Sequence, residues 1–439
     1  MKTKSVRKKI NIVTLGCSKN LVDSEVLMAQ LRAQNIEVVH EKGDDANIVI
    51  INTCGFINDA KEESIETILD FVQAKDRGEI EKVYVMGCLS ERYRDELKEE
   101  IEGVDGFYGV GQFADILSDL GVDYKKELLG DRVLSTPSHY AYLKISEGCD
   151  RRCSFCAIPL IRGKHISVPV EELVEEAKGL VAQGVKELIL IAQDLNYYGL
   201  DLYGERRLGD LLNQLSGIPN LEWIRLHYTY PAGFPDDVLD LMAKKSNICN
   251  YIDIPLQHIS EDLLKSMKRG ASEETTRNLV AKFRSKVPDV ALRTTFIVGY
   301  PGETEEDFQK LKQFVAETRF ERMGVFQYSE EEGTYAATLD DDVPADVKQR
   351  RTDELMDLQQ EISLEINKKK EGKIFKVLVD NEESDYFIGR TEFDSPEVDN
   401  EVLILKDEST KIEIGEFCLV KIIKADMFDI IGEICSDFE

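Results

Sequence analysis

"SEGCDRRCSFCAIP", residues 146–159, carries Cys149, Cys153 and Cys156 within eight positions. A tetrahedral zinc site takes four protein ligands, and a ferredoxin-type iron–sulfur cluster also takes four thiolates. This stretch stops at three. Three thiolates around a cubane of four irons leave one iron without a protein ligand, open to a small molecule, as an open zinc position takes water or substrate. The C-x3-C-x2-C spacing therefore points to a metal centre that holds a substrate or cofactor directly.

Working outward, the cluster follows a strand-like segment, "AYLKIS". Five more segments of that kind come after it: "ELILIA", "EWIRLH", "NYIDIP", "ALRTTFIVG" and "RMGVFQYS". Helical periodicity separates them, as over Val170–Ala182, Thr275–Ser285 and Glu305–Thr318. Six βα units over residues 138–335 predict an open (βα)6 barrel, with its active site at the C-terminal ends of the strands. The cysteine cluster lies just past the first of those ends.

Upstream, residues 9–125 alternate short apolar runs with amphipathic helices, which predicts a doubly wound parallel sheet. The strands are "KINIVTLG", "ANIVIINT" and "EKVYVMG"; the helices are expected over about Leu21–Ala33, from Asn58 to about Ala74, and from Ser90. A cysteine follows each strand: Cys17, Cys54 and Cys88. In an open parallel sheet the C-terminal strand ends share one edge, where ligands bind. Three cysteines far apart in sequence are thereby delivered to one rim, as a shared metal site. Downstream, a helical linker spans 336–371, and residues 372–439 switch to alternating strands that predict a small antiparallel β-barrel.

At 439 residues the chain has room for two or three domains, and 42% hydrophobic with 32% charged residues is ordinary for a globular protein. No apolar run approaches the roughly 20 residues of a membrane span. The start, "MKTKSVRKKINIVTLGC", briefly mimics a lipoprotein leader, but Asn11 and Thr14 interrupt an apolar core already short of the about 7–15 residues a leader requires. The expected location is the cytoplasm. The basic run Lys2 to Lys9 reads as a solvated terminus, with ribosomal RNA as the alternative contact. Nine cysteines in such a chain suggest metal chemistry where they cluster, whereas Cys249, Cys418 and Cys435 sit in packing contexts. A net charge of −29 argues against a nucleic-acid partner and reads either as a match for a basic one or as acidity that merely keeps the protein soluble.

The cysteine triad after the first strand of a βα barrel, with Phe155 before its last member, resembles the radical S-adenosylmethionine superfamily. The resemblance implies a 4Fe–4S cluster whose open iron chelates the amino and carboxylate groups of S-adenosylmethionine. One electron then cleaves that molecule to methionine and a 5′-deoxyadenosyl radical. Over nearly the whole chain, three N-terminal cysteines, this barrel and a C-terminal β-barrel (a TRAM domain) look like the methylthiotransferases. That likeness implies a second 4Fe–4S cluster on Cys17, Cys54 and Cys88, carrying the sulfur to be transferred.

Within that family, "GCSKNLVDSE" (Gly16–Glu25) is similar to the RimO-type branch, which modifies an aspartate of small-subunit ribosomal protein twelve. The tRNA branch typically has Met-Asn in place of Lys-Asn. "YIDIPLQHIS", "LKSMKRG", "TFIVGYPGETEEDF" and "FQYSEEEGTYA" are similar to the same branch, and Glu331-Glu332 stands where the tRNA branch is expected to be basic. Glu371–Glu439 holds 7 basic against 19 acidic residues, which suits a basic ribosomal protein better than tRNA. The expected reaction is methylthio transfer to the aspartate β-carbon, with one S-adenosylmethionine as methyl donor, a second as radical source, and an electron donor as a further partner. The alternatives are a tRNA adenosine methylthiotransferase and, from another class, a zinc protein that scaffolds a ribosomal complex.

Further candidates lie at the barrel strand ends. Gln193 and Asp194 end the second strand, where the resemblance implies contact with the methionine amino group; turn capping is the bland reading. Gln257 and His258 follow the fourth strand, His258 as proton carrier or satisfied loop histidine. Arg293 in the fifth strand is placed to meet a cofactor carboxylate or a structural carboxylate. Glu303 in "IVGYPGET" faces either the cofactor or the positive end of the next helix. Tyr197, Tyr198 and "HYTYP" (227–231) supply aromatics for adenine stacking or packing, and Trp223 reads as core.

Overall fold

The computed structural model describes residues 9–41, 46–125, 128, 130, 132–406 and 412–435. The basic run up to Lys8 and the last four residues of the 372–439 segment lie outside them. The first sheet is parallel, with order β2-β1-β3-β4-β5. Its strands are β1 (Lys9–Thr14), β2 (Glu37–His40), β3 (Ile48–Thr53), β4 (Lys82–Gly87) and β5 (Gly106–Phe107). Every residue of β3 is buried, because helices cover both faces and two separate apolar clusters form around Ile50 and Ile51. The sequence pattern shows the three inner strands and misses the edges β2 and β5, which are short and carry little apolar signal.

The helices that follow β1, β3 and β4 are α1 (Ser18–Arg32), α2 (Asn58–Asp76) and α3 (Cys88–Arg92). Two begin earlier than the periodicity suggests: α1 at Ser18 rather than Leu21, and α3 at Cys88 rather than Ser90. The extended Cys17 is the N-cap of α1, and Gly87, at φ 98°, turns the chain straight from β4 into α3. The consequence is positional, since Cys17 and Cys88 now sit at the N-terminal ends of helices, on the rim where the strands end.

Six parallel strands form the central barrel in the order β13-β12-β11-β10-β9-β6. In chain order β6 is Tyr140–Lys144, and a hairpin of β7 (Ser146–Glu147) with β8 (Ile166–Ser167) braces the cysteine loop. Then come β9 (Glu187–Ile191), β10 (Trp223–Leu226), β11 (Ile248–Asp253), β12 (Ala291–Val298) and β13 (Arg322–Gln327). Alternate residues point two ways: Leu188, Leu190, Leu292 and Phe296 join the large core beneath the helices. Tyr140, Tyr142, Ile189 and Ile191 line the lumen, where Val22 of α1 packs on them. The N-terminal sheet thus lends a helix to the barrel mouth.

The long helix Ala345–Lys368 leads to a closed five-stranded barrel in the order β14-β15-β16-β18-β17. Its strands are β14 (Ile374–Glu382), β15 (Tyr386–Arg390), β16 (Val402–Leu405), β17 (Phe417–Ala425) and β18 (Ile430–Ile434). One pairing departs from the antiparallel expectation, because β16 and β18 run parallel. This small barrel seals the floor of the large one: Trp223, Cys249, Tyr251 and Ala291 pack against Leu378, Phe393 and Phe417. Around that apolar plug, Arg225 and Arg390 both hold Glu187, Arg322 meets Asp394, Arg293 meets Asp399, and His139 meets Asp380.

Those pairs revise the charge argument. Asp380, Asp394 and Asp399 belong to the acidic count of the C-terminal segment, yet Arg390, Arg322 and Arg293 face them within this chain. The surface left for a basic partner is less acidic than the composition implies.

Candidate functional site

The three N-terminal cysteine loops meet at the C-terminal edge of the first sheet. A β-carbon added to Gly16 would lie 2.7 Å from the β-carbon of Cys54, and one added to Gly55 would lie 2.7 Å from the Leu89 nitrogen. Glycine at those positions lets the Cys17, Cys54 and Cys88 loops approach one another. Asn20, fully buried in the first turn of α1, stitches them: its Nδ2 donates to the carbonyls of Leu15 (2.8 Å) and Thr53 (3.0 Å). Its Oδ1 lies 3.6 Å from the Cys88 Sγ.

The second triad lies in the loop after β7. The Arg151 amide donates to the Cys149 Sγ (3.4 Å), and the Arg269 guanidinium donates to the Cys153 Sγ (3.3 Å), which also lies 3.7 Å from the Tyr230 hydroxyl. Arg151 and Arg269 stack over the Tyr230 ring at 4.0 and 4.3 Å. Such donors suit anionic sulfur. Burial pushes the thiols up, to about 11 for Cys149 and about 12 for Cys156 and Cys88. Deprotonation therefore needs a bound metal to replace the proton.

Arg162 connects the two triads. Its buried guanidinium reaches the Cys88 Sγ (3.4 Å), Asn20 Oδ1 (2.5 Å), Asp23 (3.3 Å) and both oxygens of Glu147 (2.9 Å each). Glu147 also pairs with Lys144 (2.7 Å) and accepts from Gln193 Nε2 (2.7 Å). Despite its burial, these cations hold the Glu147 carboxyl down at about 2. Cys88 further packs on Ala157 and Ile161, beside Cys156. Among the described residues no three His, Cys, Asp or Glu side chains converge closely enough to share one metal ion. A cubane, which takes each thiolate on a different iron, needs wider spacing than a mononuclear zinc ion with its bonds of about 2.3 Å.

The other predicted site residues divide. Gln193 and Gln257 stay at the mouth, and the side-chain carbonyl oxygen of each is buried without a partner among the described residues. A buried acceptor of that kind calls for a ligand donor. Gln257 is held at φ 75° by backbone hydrogen bonds that bridge it to β12. Asp194 caps the Asn196 amide (2.9 Å) and pairs with Arg151 (2.7 Å), so the capping reading and a contact with the cysteine loop both hold.

Arg293 and Glu303 turn elsewhere. Arg293 reaches Asp253 (3.4 Å) and Asp399 (3.3 Å), the structural ion pair of the two readings. Glu303 is buried against Arg351 (2.9 Å), His258 (3.3 Å) and the Gly299 amide. His258 is a satisfied loop histidine: its Nδ1 accepts from the Ser260 amide (2.9 Å), which leaves the Nε2 proton for Glu303. Tyr198 and Trp223 are core, whereas Tyr197 and Tyr230 flank Arg151 at the mouth. Glu331 points inward, clamped by Arg92 (2.5 Å) and Lys61 (3.0 Å), so this half of the acidic pair joins barrel to sheet; Glu332 remains exposed. Sequence reasoning missed Asn20, Glu147 and Arg162, whose only signal was proximity to the cysteine motifs, and Arg269, which the fold brings to Cys153 from 116 residues away.

Three family descriptions match the chain: the Radical SAM superfamily over residues 143–315, the uncharacterized protein family UPF0004 over 9–109, and the TRAM domain over 372–435. Among solved structures, a radical S-adenosylmethionine methyltransferase, TsrM, from Kitasatospora setae shares the fold at TM-score 0.55, covering 84% of this chain and 81% of that one at 16% identity. A "Ribosomal protein uS12 methylthiotransferase RimO" from Flavobacterium johnsoniae is 59% identical over 99% of this chain and 100% of its own length. The protein of that name from Bacteroides thetaiotaomicron is 55% identical with the same coverage. At that identity over nearly its whole length, the chain belongs to the RimO family of ribosomal protein uS12 methylthiotransferases.

Proposed function

We propose that this protein transfers a methylthio group to the β-carbon of an aspartate of ribosomal protein uS12 by radical S-adenosylmethionine chemistry. The observation that carries the reading is Arg162, which donates to the Cys88 Sγ of one triad and to Glu147, two residues before Cys149 of the other, in a chain 59% identical to an enzyme of that name. Cys149, Cys153 and Cys156 would hold one 4Fe–4S cluster, and Cys17, Cys54 and Cys88 a second that carries the sulfur. Bound at the first cluster, S-adenosylmethionine supplies the 5′-deoxyadenosyl radical, and a second molecule supplies the methyl group. A radical is needed because no side-chain base removes a proton from an unactivated carbon near neutral pH.

The chain's own residues have separable tasks. Gln193 and Gln257 offer buried acceptors to the ligand's ammonium, and Asp194 fixes Arg151 against the Cys149 loop. Arg162 and Glu147 hold the two triads in register. The floor pairs of Arg293, and the Glu303 network, keep the strands that carry these groups in place. The proposed domains are 9–125, 138–335, a linker 336–371 and 372–439. The partners are a basic ribosomal protein, free or in the small subunit, and an electron donor, in the cytoplasm. Among the described residues no helix is long and apolar enough to cross a membrane.

The test uses anaerobically reconstituted enzyme with reductant, S-adenosylmethionine and sulfide, offered both uS12 and unmodified tRNA and read by mass spectrometry. A methylthio group on one aspartate of uS12 is expected. Modified tRNA alone would overturn the acceptor, and colourless protein carrying zinc would overturn the chemistry.

A further inference from the structure

Only two lysines are buried among the described residues, Lys19 and Lys348. Lys348 follows the usual rule for a buried cation, since its ammonium meets Asp341 at 2.6 Å. Lys19 does not. Its Nζ rests 2.8 Å from the centre of the Tyr228 ring, and among the described residues no carboxylate lies within ion-pair distance of it. In a chain with 84 acidic and 55 basic residues, a buried ammonium left to an aromatic face is an exception.

Its place in the fold gives the exception meaning. Lys19 stands two residues after Cys17, in the first turn of α1. Tyr228 stands two residues before Tyr230, whose hydroxyl leans on the Cys153 Sγ. The Lys19–Tyr228 contact therefore joins the loop of one triad to the loop that abuts the other. Tyr228 is itself held in a strained left-handed conformation, φ 63°. Its amide donates to the Asp253 carboxylate (2.9 Å), and its carbonyl accepts from Leu195 (3.1 Å). Asp253 is in turn engaged by Arg293 (3.4 Å). A strained residue locked from behind, presenting a ring to an unpaired ammonium, is the arrangement of a site that awaits an anion.

We propose that Lys19 is the specificity-determining residue for the acceptor: its ammonium, cradled by Tyr228 between the two cysteine triads, binds the side-chain carboxylate of the substrate aspartate. This inference rests on the acceptor reading above and goes beyond it, by naming the group that distinguishes aspartate from its uncharged analogue. An asparagine at the acceptor position leaves the ammonium without its counter-charge, and a site built for a charged partner discriminates against a neutral isostere.

The test compares binding of two uS12 peptides, one with the acceptor aspartate and one with asparagine there. The proteins are reconstituted wild-type, Lys19→Met and Lys19→Arg enzyme, and binding is read by fluorescence anisotropy alongside kcat and KM. Iron content and the visible spectrum report that each variant is loaded. Wild type is expected to prefer the aspartate peptide by roughly 10- to 100-fold. Lys19→Met should lose most of that preference while keeping its affinity for the asparagine peptide, and Lys19→Arg should keep part of it. A Lys19→Met enzyme that discriminates as wild type does, or weakens for both peptides equally, overturns the assignment alone. Wild-type enzyme that binds neither peptide overturns the acceptor reading and the assignment together.

Discussion

At the floor of the central barrel, Arg225, Arg322, Arg293 and Arg390 each face a carboxylate, and a second domain packs over them, burying all but Arg293, which is half-buried. At the mouth, the other end of the same strands, Gln193 and Gln257 keep buried acceptors without partners among the described residues, and Lys19 there faces a ring and no carboxylate. Both ends bury polar groups in a low-dielectric setting. One end pairs its charges within the chain, which fixes how the C-terminal barrel docks. Among the described residues, the other leaves two amide oxygens and an ammonium for a ligand to complete.

The sharpest way to break this contrast is at the cysteines. Cys153→Ala and Cys88→Ala should each lower methylthio transfer by at least about a thousandfold, as loss of a core catalytic element does. They should differ in one readout: Cys153→Ala loses deoxyadenosine formation as well, whereas Cys88→Ala retains it. Chromatography of both products checks this, and equal loss of deoxyadenosine would merge the two triads into one function.

Next is the floor. Glu187→Gln leaves Arg225 and Arg390 short of their shared counter-charge, and should cost about 3–5 kcal/mol in denaturant unfolding. At the mouth, Gln193→Leu should cost only about 1 kcal/mol of stability, because Glu147 keeps Lys144 and Arg162. The same change should weaken S-adenosylmethionine binding about tenfold by calorimetry. Equal stability costs at both sites would erase the distinction.

Acid sharpens it further. His227 is buried at the floor with its Nε2 beside the Ser395 hydroxyl (2.8 Å), and burial with the Arg225 and Arg293 charges holds its pKa well below the ordinary value. The unfolded chain thus binds the extra proton first. Stability contributed by neutral His227 is present above about pH 6.5 and lost below it, by up to about 1.4 kcal/mol per pH unit. Melting profiles between pH 7.5 and 5 should steepen below about 6.5 in wild type, and flatten in His227→Gln. The smallest effect belongs to the seam's outer rim, where Lys376 and Glu222 pair in the open (2.7 Å); Lys376→Ala should change stability by less than about 1 kcal/mol.

Much of this architecture is legible in the residues alone. The barrel strands appear as six apolar runs, the helices Val170–Ala182 and Glu305–Thr318 end where the periodicity ends, and Cys17, Cys54 and Cys88 each follow a strand's C-terminal end. The period of a strand or helix is a local property, set by which face must be buried, and so it is written in consecutive residues. The edges β2 and β5 escape because a short, half-exposed strand needs no such pattern.

The sequence by itself determined the two cysteine triads, the βα order and the family resemblance, because spacing and periodicity act over a few residues. Only the tertiary structure decided the pairings: that Arg293 and Glu303 serve the frame, that Glu331 turns inward, and that three acids of the C-terminal barrel are neutralised at a buried seam. Only it shows Arg162 joining the triads and Lys19 without a carboxylate. A charge's partner is chosen by whichever opposite charge the fold brings within about 4 Å, and such partners lie here up to 270 residues apart.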